Sequence, residues 1–307
     1  MGETGMSLIR LEPVYKKSIW AGERLTKIRG LTASGIGISR EVCAYPGSEN
    51  VIAAGPMKGE AVGRLIADYH RELMGEDDSN QLVRVAFMDT AEDLSIQVHP
   101  DEAQASIVGD YEKSESWYIL EAGEGAYITA GVNCGDSKVL RKAAEESHLE
   151  EYLIRHPVKK GDFAMIPAKM IHACGGNMLV LEIGSFGGIT YRLYDYGRGR
   201  PLDLDRSLEI MDPILACLMI HCQEKHDNEL WTVGTHRLFQ VDILDVREHY
   251  YLKGNGKYRI LTCVEGFCRL QCEGEVSILG YTETILVPAA REQVEIAGTC
   301  RLIIAER

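Results

Sequence analysis

Two polar residues on one short segment, Gln97 and His99, could share a metal ion. They lie in the run LSIQVHP at residues 94–100, whose composition favours a β-strand. Residues two apart on a strand point to the same face of that strand. A glutamine oxygen and an imidazole nitrogen could therefore bind one cation there. The alternative is an exposed strand that carries two polar side chains without a ligand.

Two further segments offer ligands of a compatible kind. Glu115 lies directly before the apolar run WYIL, at the entrance of a predicted strand, and His172 follows the apolar run FAMIPA and precedes a Gly-Gly turn. Imidazole and carboxylate ligands suit zinc, iron or manganese, whereas soft thiolate ligation is not indicated. These residues lie far apart along the chain, so they can meet only if their strands close up in the fold.

A third informative segment is TYRLYDYGRGR at residues 190–200, which contains three tyrosines and three arginines. Such a concentration is unusual in an acidic chain. Arginine binds phosphate and carboxylate groups through paired hydrogen bonds. Arg192 and its neighbours are therefore candidates for binding an anionic group. The alternative is an edge strand followed by a basic loop.

The overall charge of the chain disfavours polyanionic binding partners such as nucleic acid. The 307 residues include 33 Lys and Arg against 46 Asp and Glu, a net charge of −13, so we expect no binding to nucleic acid or to anionic membranes. No segment approaches ~18 consecutive apolar residues, and the N-terminus has no apolar signal-peptide core. The nine cysteines are scattered and lack a Cys-x-x-Cys pair, which is typical of reduced cytoplasmic thiols. We expect a cytoplasmic monomer or homodimer.

The elements that must position these residues are mostly short strands. Apolar runs separated by turn residues predict strands within 7–57 and at 83–89, 94–100, 116–122 and 158–184. Apolar residues at helical spacing predict helices at 59–75 and 139–155, and a helical segment interrupted by Pro213 at 203–226. From Leu230 onward the pattern is rich in strands again. The closely spaced turns favour two small β domains over alternating βαβ units.

These segments together resemble type I mannose-6-phosphate isomerase in its short bacterial form. The resemblance is carried in order by LSIQVHPDE (94–102), KSESWYIL (113–120), KKGDFAMIPAKMIHACGG (159–176) and TYRLYDYGR (190–198). It extends from about residue 8 to residue 307. It implies a mainly β chain with two cupin-like (jelly-roll) β-barrel domains and a few connecting helices. The implied domains are a catalytic, metal-binding domain (1–202) with helical insertions, a helical linker (203–228) and a C-terminal cupin-like domain (229–307).

The resemblance also implies a chemistry, the interconversion of mannose 6-phosphate and fructose 6-phosphate. It implies one divalent metal ion, usually zinc, bound by Gln97, His99, Glu115 and His172. It further implies that Arg192 enters the active site and that Ser95, Lys113 and Glu182 lie near the substrate. Moving a proton between C1 and C2 builds negative charge on the sugar oxygens, which a cation and an arginine can stabilise. Lys113 and Glu182 are both candidates for the group that moves the proton.

Three positions depart from the family pattern. Ala86 stands where the family usually carries a lysine, although Arg84 could reach the same face of the strand and bind substrate. Gly188 stands where the family carries an acidic residue, and residues 40–43 read REVC in place of WEVS. None of these changes touches the four implied ligands. They leave open a cupin paralogue acting on another sugar or sugar phosphate, and a non-catalytic sugar-binding or regulatory cupin. Another metal-dependent cupin enzyme, with non-haem iron, is a further alternative.

Overall fold

The structure, a computed structural model, describes Gly5 and residues 7–307, and strands dominate it. The strands are β1 (Val14–Lys17), β2 (Ile36–Val42), β3 (Arg84–Thr90), β4 (Ile96–Val98), β5 (Glu115–Ala122), β6 (Tyr127–Val132), β7 (Leu153–Pro157), β8 (Asp162–Ile166), β9 (His172–Cys174), β10 (Met178–Gly184), β11 (Tyr191–Tyr194), β12 (Leu218–His221), β13 (Leu230–His236), β14 (Phe239–Lys253), β15 (Arg259–Cys272), β16 (Glu275–Gly280), β17 (Thr284–Val287) and β18 (Gln293–Glu306). The mainly β fold class predicted from the sequence is confirmed.

The helices are short. They are α1 (Arg24–Ile28), α2 (Val62–Asp68), α3 (His70–Met74), α4 (Glu102–Ile107), α5 (Ser137–Glu145) and α6 (Leu204–Ile210), with a 3-10 helix at Leu149–Tyr152. Within the described residues, no helix combines the length and the apolar character needed to cross a membrane. The cysteines are free, and all but Cys134 and Cys217 are buried.

Two of the helix predictions need correction. The predicted helix at 139–155 ends early, because Ser147 adopts a left-handed conformation (φ 61°) and the His148 N–H donates to the Ala143 carbonyl, an ending typical of helix C-termini. The chain then forms the 3-10 helix and β7. In the predicted helical segment at 203–226, α6 stops shortly before Pro213, which cannot continue a helix. Residues Leu218–His221 form β12, which pairs with β8.

Residue contacts divide the chain into two compact units. Unit 1 comprises the described residues up to Val14, residues 40–86 and residues 224–307, and unit 2 comprises residues 15–39 and 87–223. The predicted domains 1–202, 203–228 and 229–307 follow the order of the chain. They therefore do not anticipate that residues 40–86 belong to the same unit as the C-terminal strands.

Unit 2 contains the strands that carry the candidate site. One sheet has the order β1-β2-β3-β10-β5-β8-β12, with parts of its first three strands assigned to unit 1, and the other has the order β11-β4-β9-β6-β7. Both sheets contribute to one hydrophobic core, for example Trp117 and Val180 from the first and Val98 and Ile128 from the second. The space between the sheets is thus lined by inward-pointing residues, as in a jelly roll.

Unit 1 holds the long C-terminal strands. Its sheet has the order β13-β14-β18-β15-β16, and β17 also pairs with β15. Leu244, Leu261 and Leu302 belong to a separate hydrophobic core. In the same sheet, Arg301 of β18 donates to both carboxylate oxygens of Asp245 of β14, at 2.7 and 2.8 Å, and both residues are buried.

A close approach of β10 to β5 sets the position of Glu115. The strands are antiparallel, and Gly184 lies opposite Glu115. A Cβ atom at Gly184 would lie 2.7 Å from the Ser114 carbonyl oxygen and 3.5 Å from Glu115 Cγ. Only glycine allows the two backbones this separation, because any side chain would push the start of β5 away.

We therefore expect Gly184→Ala to displace Ser114 and Glu115. Overpacking of this kind lowers the free energy of unfolding by about 1–3 kcal/mol, which chemical denaturation measures. Gly135→Ala is the control, because a Cβ there would meet Pro213 Cγ at an ordinary 3.7 Å, and its effect should stay within about 0.5 kcal/mol. Equal stability of the two variants would contradict the proposed role of Gly184.

Candidate metal centre

Three neighbouring strands bring polar side chains to one place between the sheets of unit 2. Gln97 of β4 lies opposite His172 of β9 on one side and opposite Arg192 of β11 on the other. His99 follows β4 directly, two residues after Gln97. Glu115 is the first residue of β5, in the other sheet. The site is therefore assembled by strand pairing within one sheet and by the facing of two sheets.

His99, Glu115 and His172 form a buried cluster. Each is at most 1% exposed, and one ligand atom from each lies within 4.8 Å of the others. Nε2 of His99 is 3.3 Å from Oε1 of Glu115, and Nε2 of His172 is 3.9 Å from Oε2 of Glu115. A carboxylate so far from water must be compensated by positive charge or by hydrogen bonds. The three side chains thus converge on a point that favours a cation.

Gln97 adds an amide to this cluster. Its Nε2 lies 3.4 Å from Nε2 of His172. The two ends of a glutamine amide have nearly the same shape, so a half turn about the last side-chain bond places Oε1 in the same position. The structure therefore brings the four sequence-predicted ligands together, and their role as ligands stays a prediction.

Backbone carbonyls orient both imidazole rings. Nδ1 of His99 lies 3.0 Å from the Ile189 carbonyl oxygen, and Nδ1 of His172 lies 2.8 Å from that of Met170. A carbonyl oxygen only accepts, so Nδ1 carries the proton and Nε2 presents its lone pair to the cluster. Burial lowers the pKa of His99 to about 3, helped by the charge of Lys113, and burial also lowers the pKa of His172. Both rings are neutral at pH 7, as metal ligation requires.

Lys113 and Trp117 offset part of the cost of burying the Glu115 carboxylate. The Lys113 ammonium lies 2.6 Å from Oε1 of Glu115 and 2.9 Å from Nε2 of His99. The Trp117 indole N–H donates to Oε2 at 3.2 Å. Burial alone would raise the pKa of Glu115, but the positive charge of Lys113 holds it well below its usual range. Glu115 is therefore an ionised carboxylate.

The donor set fits a divalent cation. Among the described residues, no donor meets hydrogen-bond geometry at Oε1 of Glu115, although this atom is buried and close to charge. Two imidazole nitrogens, one carboxylate and one amide oxygen are ligands that zinc and its neighbours accept. The side chains are thus arranged for ligation more than for hydrogen bonding to one another.

Arg192 is fixed beside this cluster on the edge strand β11. Paired residues of antiparallel strands point to the same side, so Arg192 shares the side of Gln97. Its Nε donates to the buried Ser95 hydroxyl at 3.3 Å, and Nη1 donates to the Pro201 carbonyl at 2.9 Å. The structure therefore places Ser95 and Arg192, both predicted near the substrate, in direct contact.

Glu182 faces the same interior. It lies opposite Trp117 in the antiparallel pair of β10 and β5, so the two side chains point to one side of the sheet. Trp117 contacts Glu115, and its ring centroid lies 5.7 Å from that of His172. Burial and the charge of Glu182 both raise the pKa of Cys174, which follows His172 on β9. The half-buried Glu182 thus lies near the cluster without belonging to it.

Two of the departures noted in the sequence lie on different parts of the chain. Arg84, the remaining residue predicted to bind substrate, is half-buried at the start of β3 and belongs to unit 1, as does the buried Ala86. The role of Arg84 stays a prediction. At the other departure, the Gly188 and Ile189 N–H groups both donate to Oδ2 of Asp110, at 3.0 Å. A carboxylate from another segment therefore contacts this turn.

Sequence reasoning missed Trp117 and left two interpretations open for the arginine-rich segment. Trp117 could have been found, because residues two apart on a strand share a face and Glu115 was already a candidate. Arg198 and Arg200 both donate to the buried Asp195, so the loop after β11 is in part the structural basic loop that was the alternative interpretation. Arg192 alone of the three arginines was predicted to be in the active site.

Comparisons with known proteins point to one family. Residues 232–306 match the family model for the mannose-6-phosphate isomerase cupin domain. The mannose-6-phosphate isomerase of Streptococcus mutans is 33% identical over 211 residues, covering 66% of each chain. The enzyme ManA of Bacillus subtilis is 28% identical over 307 residues, covering 96% of this chain and 97% of the relative. A crystal structure of the Bacillus subtilis mannose 6-phosphate isomerase matches with a TM-score of 0.86 at 26% identity, over 98% of this chain and 99% of that one.

The cluster predicts that His172→Ala weakens metal binding without general damage. Loss of a ligand should lower the affinity for Zn²⁺ at least ~100-fold, the upper end of the effect seen for residues that only support a ligand. Titration calorimetry on metal-free protein measures this. His156→Ala is the matched control, because His156 is a half-buried histidine whose Nε2 lies 3.1 Å from the Ala130 carbonyl, outside the cluster. If both variants bind Zn²⁺ like the unmodified protein, the cluster is not the metal site.

Proposed function

This chain belongs to the type I mannose-6-phosphate isomerase family, and we propose that it interconverts mannose 6-phosphate and fructose 6-phosphate with a bound divalent metal ion. The observation that carries the proposal is the buried convergence of His99, Glu115 and His172, within a fold that matches the Bacillus subtilis isomerase over nearly its whole length. For each chemical requirement of an aldose–ketose isomerisation, this chain offers a candidate residue.

The metal site would use Gln97, His99, Glu115 and His172, and we propose Zn²⁺ as the ion. The two neutral imidazoles need to lose no proton to bind it, because the Met170 and Ile189 carbonyls already hold their Nδ1 protons. The ion, when bound, would act as a Lewis acid that stabilises negative charge on the sugar oxygens. The Glu115 carboxylate would neutralise part of the charge of the ion.

Arg192 would supply a second, permanent positive charge. Its guanidinium stays protonated at every physiological pH, and its contacts with Ser95 and Pro201 set its direction before any substrate arrives. A donor that needs no reorganisation stabilises a developing oxyanion more than water does. We propose that Arg192 binds an oxygen of the sugar phosphate that gains charge in the reaction, and that Ser95 lies beside the substrate.

One side chain must carry a proton between C1 and C2 of the sugar. Lys113 and Glu182 remain the two candidates. Lys113 reaches atoms of both His99 and Glu115, so it lies at the cluster. Glu182 faces the same interior from β10. A general base must come within hydrogen-bond distance of the carbon-bound proton, and both side chains start on the side of the sheet that faces the site.

A second function is favoured by the departures at Ala86 and Gly188. A family lysine and a family acidic residue are both missing there, while the Asp110 carboxylate occupies the backbone donors of Gly188 and Ile189. The alternative is therefore a paralogue that acts on another sugar or sugar phosphate, or that binds sugar without turnover. Arg84 would have to replace the missing lysine for phosphate binding to remain strong.

The test is conversion of fructose 6-phosphate in D₂O by the Zn²⁺-loaded protein, followed by NMR. Mannose 6-phosphate should form, with deuterium at C2 wherever the transferred proton exchanges with solvent. A chelator should abolish the conversion and Zn²⁺ should restore it. Conversion of a different sugar phosphate alone would change the substrate. Folded, metal-loaded protein that converts no sugar phosphate would favour the binding function.

Arg192→Ala should lower kcat by about 10²–10³-fold, the usual cost of removing one stabiliser of a developing oxyanion. The bound metal should remain, since Arg192 is not among the proposed ligands, and metal analysis of the purified variant checks this. Arg206→Ala is the control, because Arg206 is a well-exposed arginine that pairs with Glu209 on α6. An Arg192→Ala variant with unchanged kcat would remove Arg192 from the mechanism.

A further inference from the structure

We propose that Asp195 is a positioning residue for Arg192: it fixes the loop at residues 195–203, and that loop holds the Arg192 guanidinium. The inference rests on the proposed function, because it assigns Asp195 a part in the same reaction. Asp195 does not contact the metal cluster in any of the hydrogen bonds described above. Its effect would pass through the loop.

The loop turns back sharply on β11. Tyr196, Gly197 and Gly199 all have positive φ angles, of 54°, 73° and 78°. A residue other than glycine with such an angle is strained unless its surroundings hold it. The reversal brings residues 201–203 alongside Arg192, the residue that lies opposite Gln97 in the sheet.

After the reversal, the loop binds Arg192 at three points. The Arg192 N–H donates to Oδ2 of Asp203 at 3.0 Å, and the Asp203 N–H donates to the Arg192 carbonyl at 2.7 Å. The guanidinium donates through Nη1 to the Pro201 carbonyl. Ser95 provides the other guanidinium contact, from the strand side. Displacement of the loop would remove the Pro201 contact of the Arg192 guanidinium and keep the Ser95 contact.

Asp195 holds this loop closed. Its carboxylate is only 3% exposed and receives two arginines from the same loop. Arg200 binds both oxygens, with Nε at 2.8 Å and Nη2 at 2.5 Å, and Arg198 binds Oδ1 through Nη2 at 2.9 Å. Burial alone would raise the pKa of Asp195, but the hydrogen bonds and charges of Arg200 and Arg198 hold it below its usual value. Charged, paired hydrogen bonds of this kind are the strong ones.

Arg198 also connects the loop to the strands that carry the cluster. Nη1 of Arg198 donates to the Asp93 carbonyl at 2.8 Å, and its guanidinium stacks 5.0 Å from the Tyr196 ring centroid. The Asp93 side chain in turn accepts the Gly176 N–H at 2.8 Å, in the turn that follows β9 and His172. Arg198 thus connects the Asp195 carboxylate to the segments next to β4 and β9, which carry proposed ligands.

Asp195→Asn keeps the shape of the side chain and removes its charge. We expect kcat to fall by about 10- to 100-fold, because small misplacements of a catalytic group cost that much, with KM and metal content unchanged. In the Arg192→Ala background the same change should cost nothing further beyond about twofold, since residues that act as one unit are not additive. An effect of equal size in both backgrounds would overturn the proposal.

Amide hydrogen exchange measures how well ordered the loop is, independently of activity. The amides of Arg192 and Asp203 should exchange faster in Asp195→Asn, while those of β5 stay as protected as in the unmodified protein. Unchanged protection at Arg192 and Asp203 would also overturn the proposal. A protein that isomerises no sugar phosphate would refute the proposed function, and exchange would then still decide whether Asp195 holds the loop.

Two further variants separate positioning from folding. Asp245→Asn removes another buried carboxylate that two nitrogens of one arginine bind, and it should lower stability while leaving kcat of the folded protein unchanged. Arg200→Gln keeps a donor opposite Asp195 and leaves Arg198 in place. It should lower kcat in the same direction by a smaller factor, which keeps the proposal testable where Asp195→Asn does not fold. Full activity of a folded Arg200→Gln variant with an ordered loop would contradict a positioning role for the contacts between Asp195 and its two arginines.

Discussion

The burial of one ionised carboxylate, Glu115, is the constraint on which the rest of the site depends. A carboxylate that is 1% exposed is costly unless charge and hydrogen bonds compensate it. Lys113 and Trp117 supply part of that compensation. The lysine is therefore part of the electrostatics of the cluster as well as a candidate catalyst. A divalent cation placed among the same atoms would satisfy the carboxylate more fully than the ammonium alone.

Around this carboxylate, the protein supports the reactive side chains mainly with backbone. The Met170 and Ile189 carbonyls orient the imidazoles, and the Pro201 carbonyl orients Arg192. Backbone acceptors cannot titrate and cannot change rotamer, so the geometry they impose depends on how firmly each loop is held. Asp110 at Ile189 and Asp195 at the loop before Pro201 are buried or half-buried carboxylates in those loops. The site is thus only as well ordered as the segments beyond its strands.

The sequence predicted the parts of the structure that depend on local pattern. Alternation along β4 placed Gln97 and His99 on one face, and the apolar runs located β3, β5 and β10. It could not predict that residues 40–86 join the C-terminal unit, because that depends on contacts between distant segments. The helix predicted at 139–155 is too long, because the left-handed backbone conformation of Ser147 ends it. The residue type at this position does not indicate that conformation. No signal in the sequence pointed to Asp195, because its contacts with Arg198 and Arg200 depend on the conformation of the loop.

The proposed ligands and the departure at Gly188 lie in different kinds of structure. Gln97, His172 and Arg192 lie on three adjacent strands in fixed register, and a slip of one residue would turn each side chain to the opposite face. Substitution there must preserve both the ligand and the register. Gly188 lies outside the strands, and its backbone N–H donates to the carboxylate of Asp110. An acidic side chain at this position could therefore be lost without disturbing the strands. The strand positions of the proposed metal site are therefore more constrained by register than the segment at Gly188.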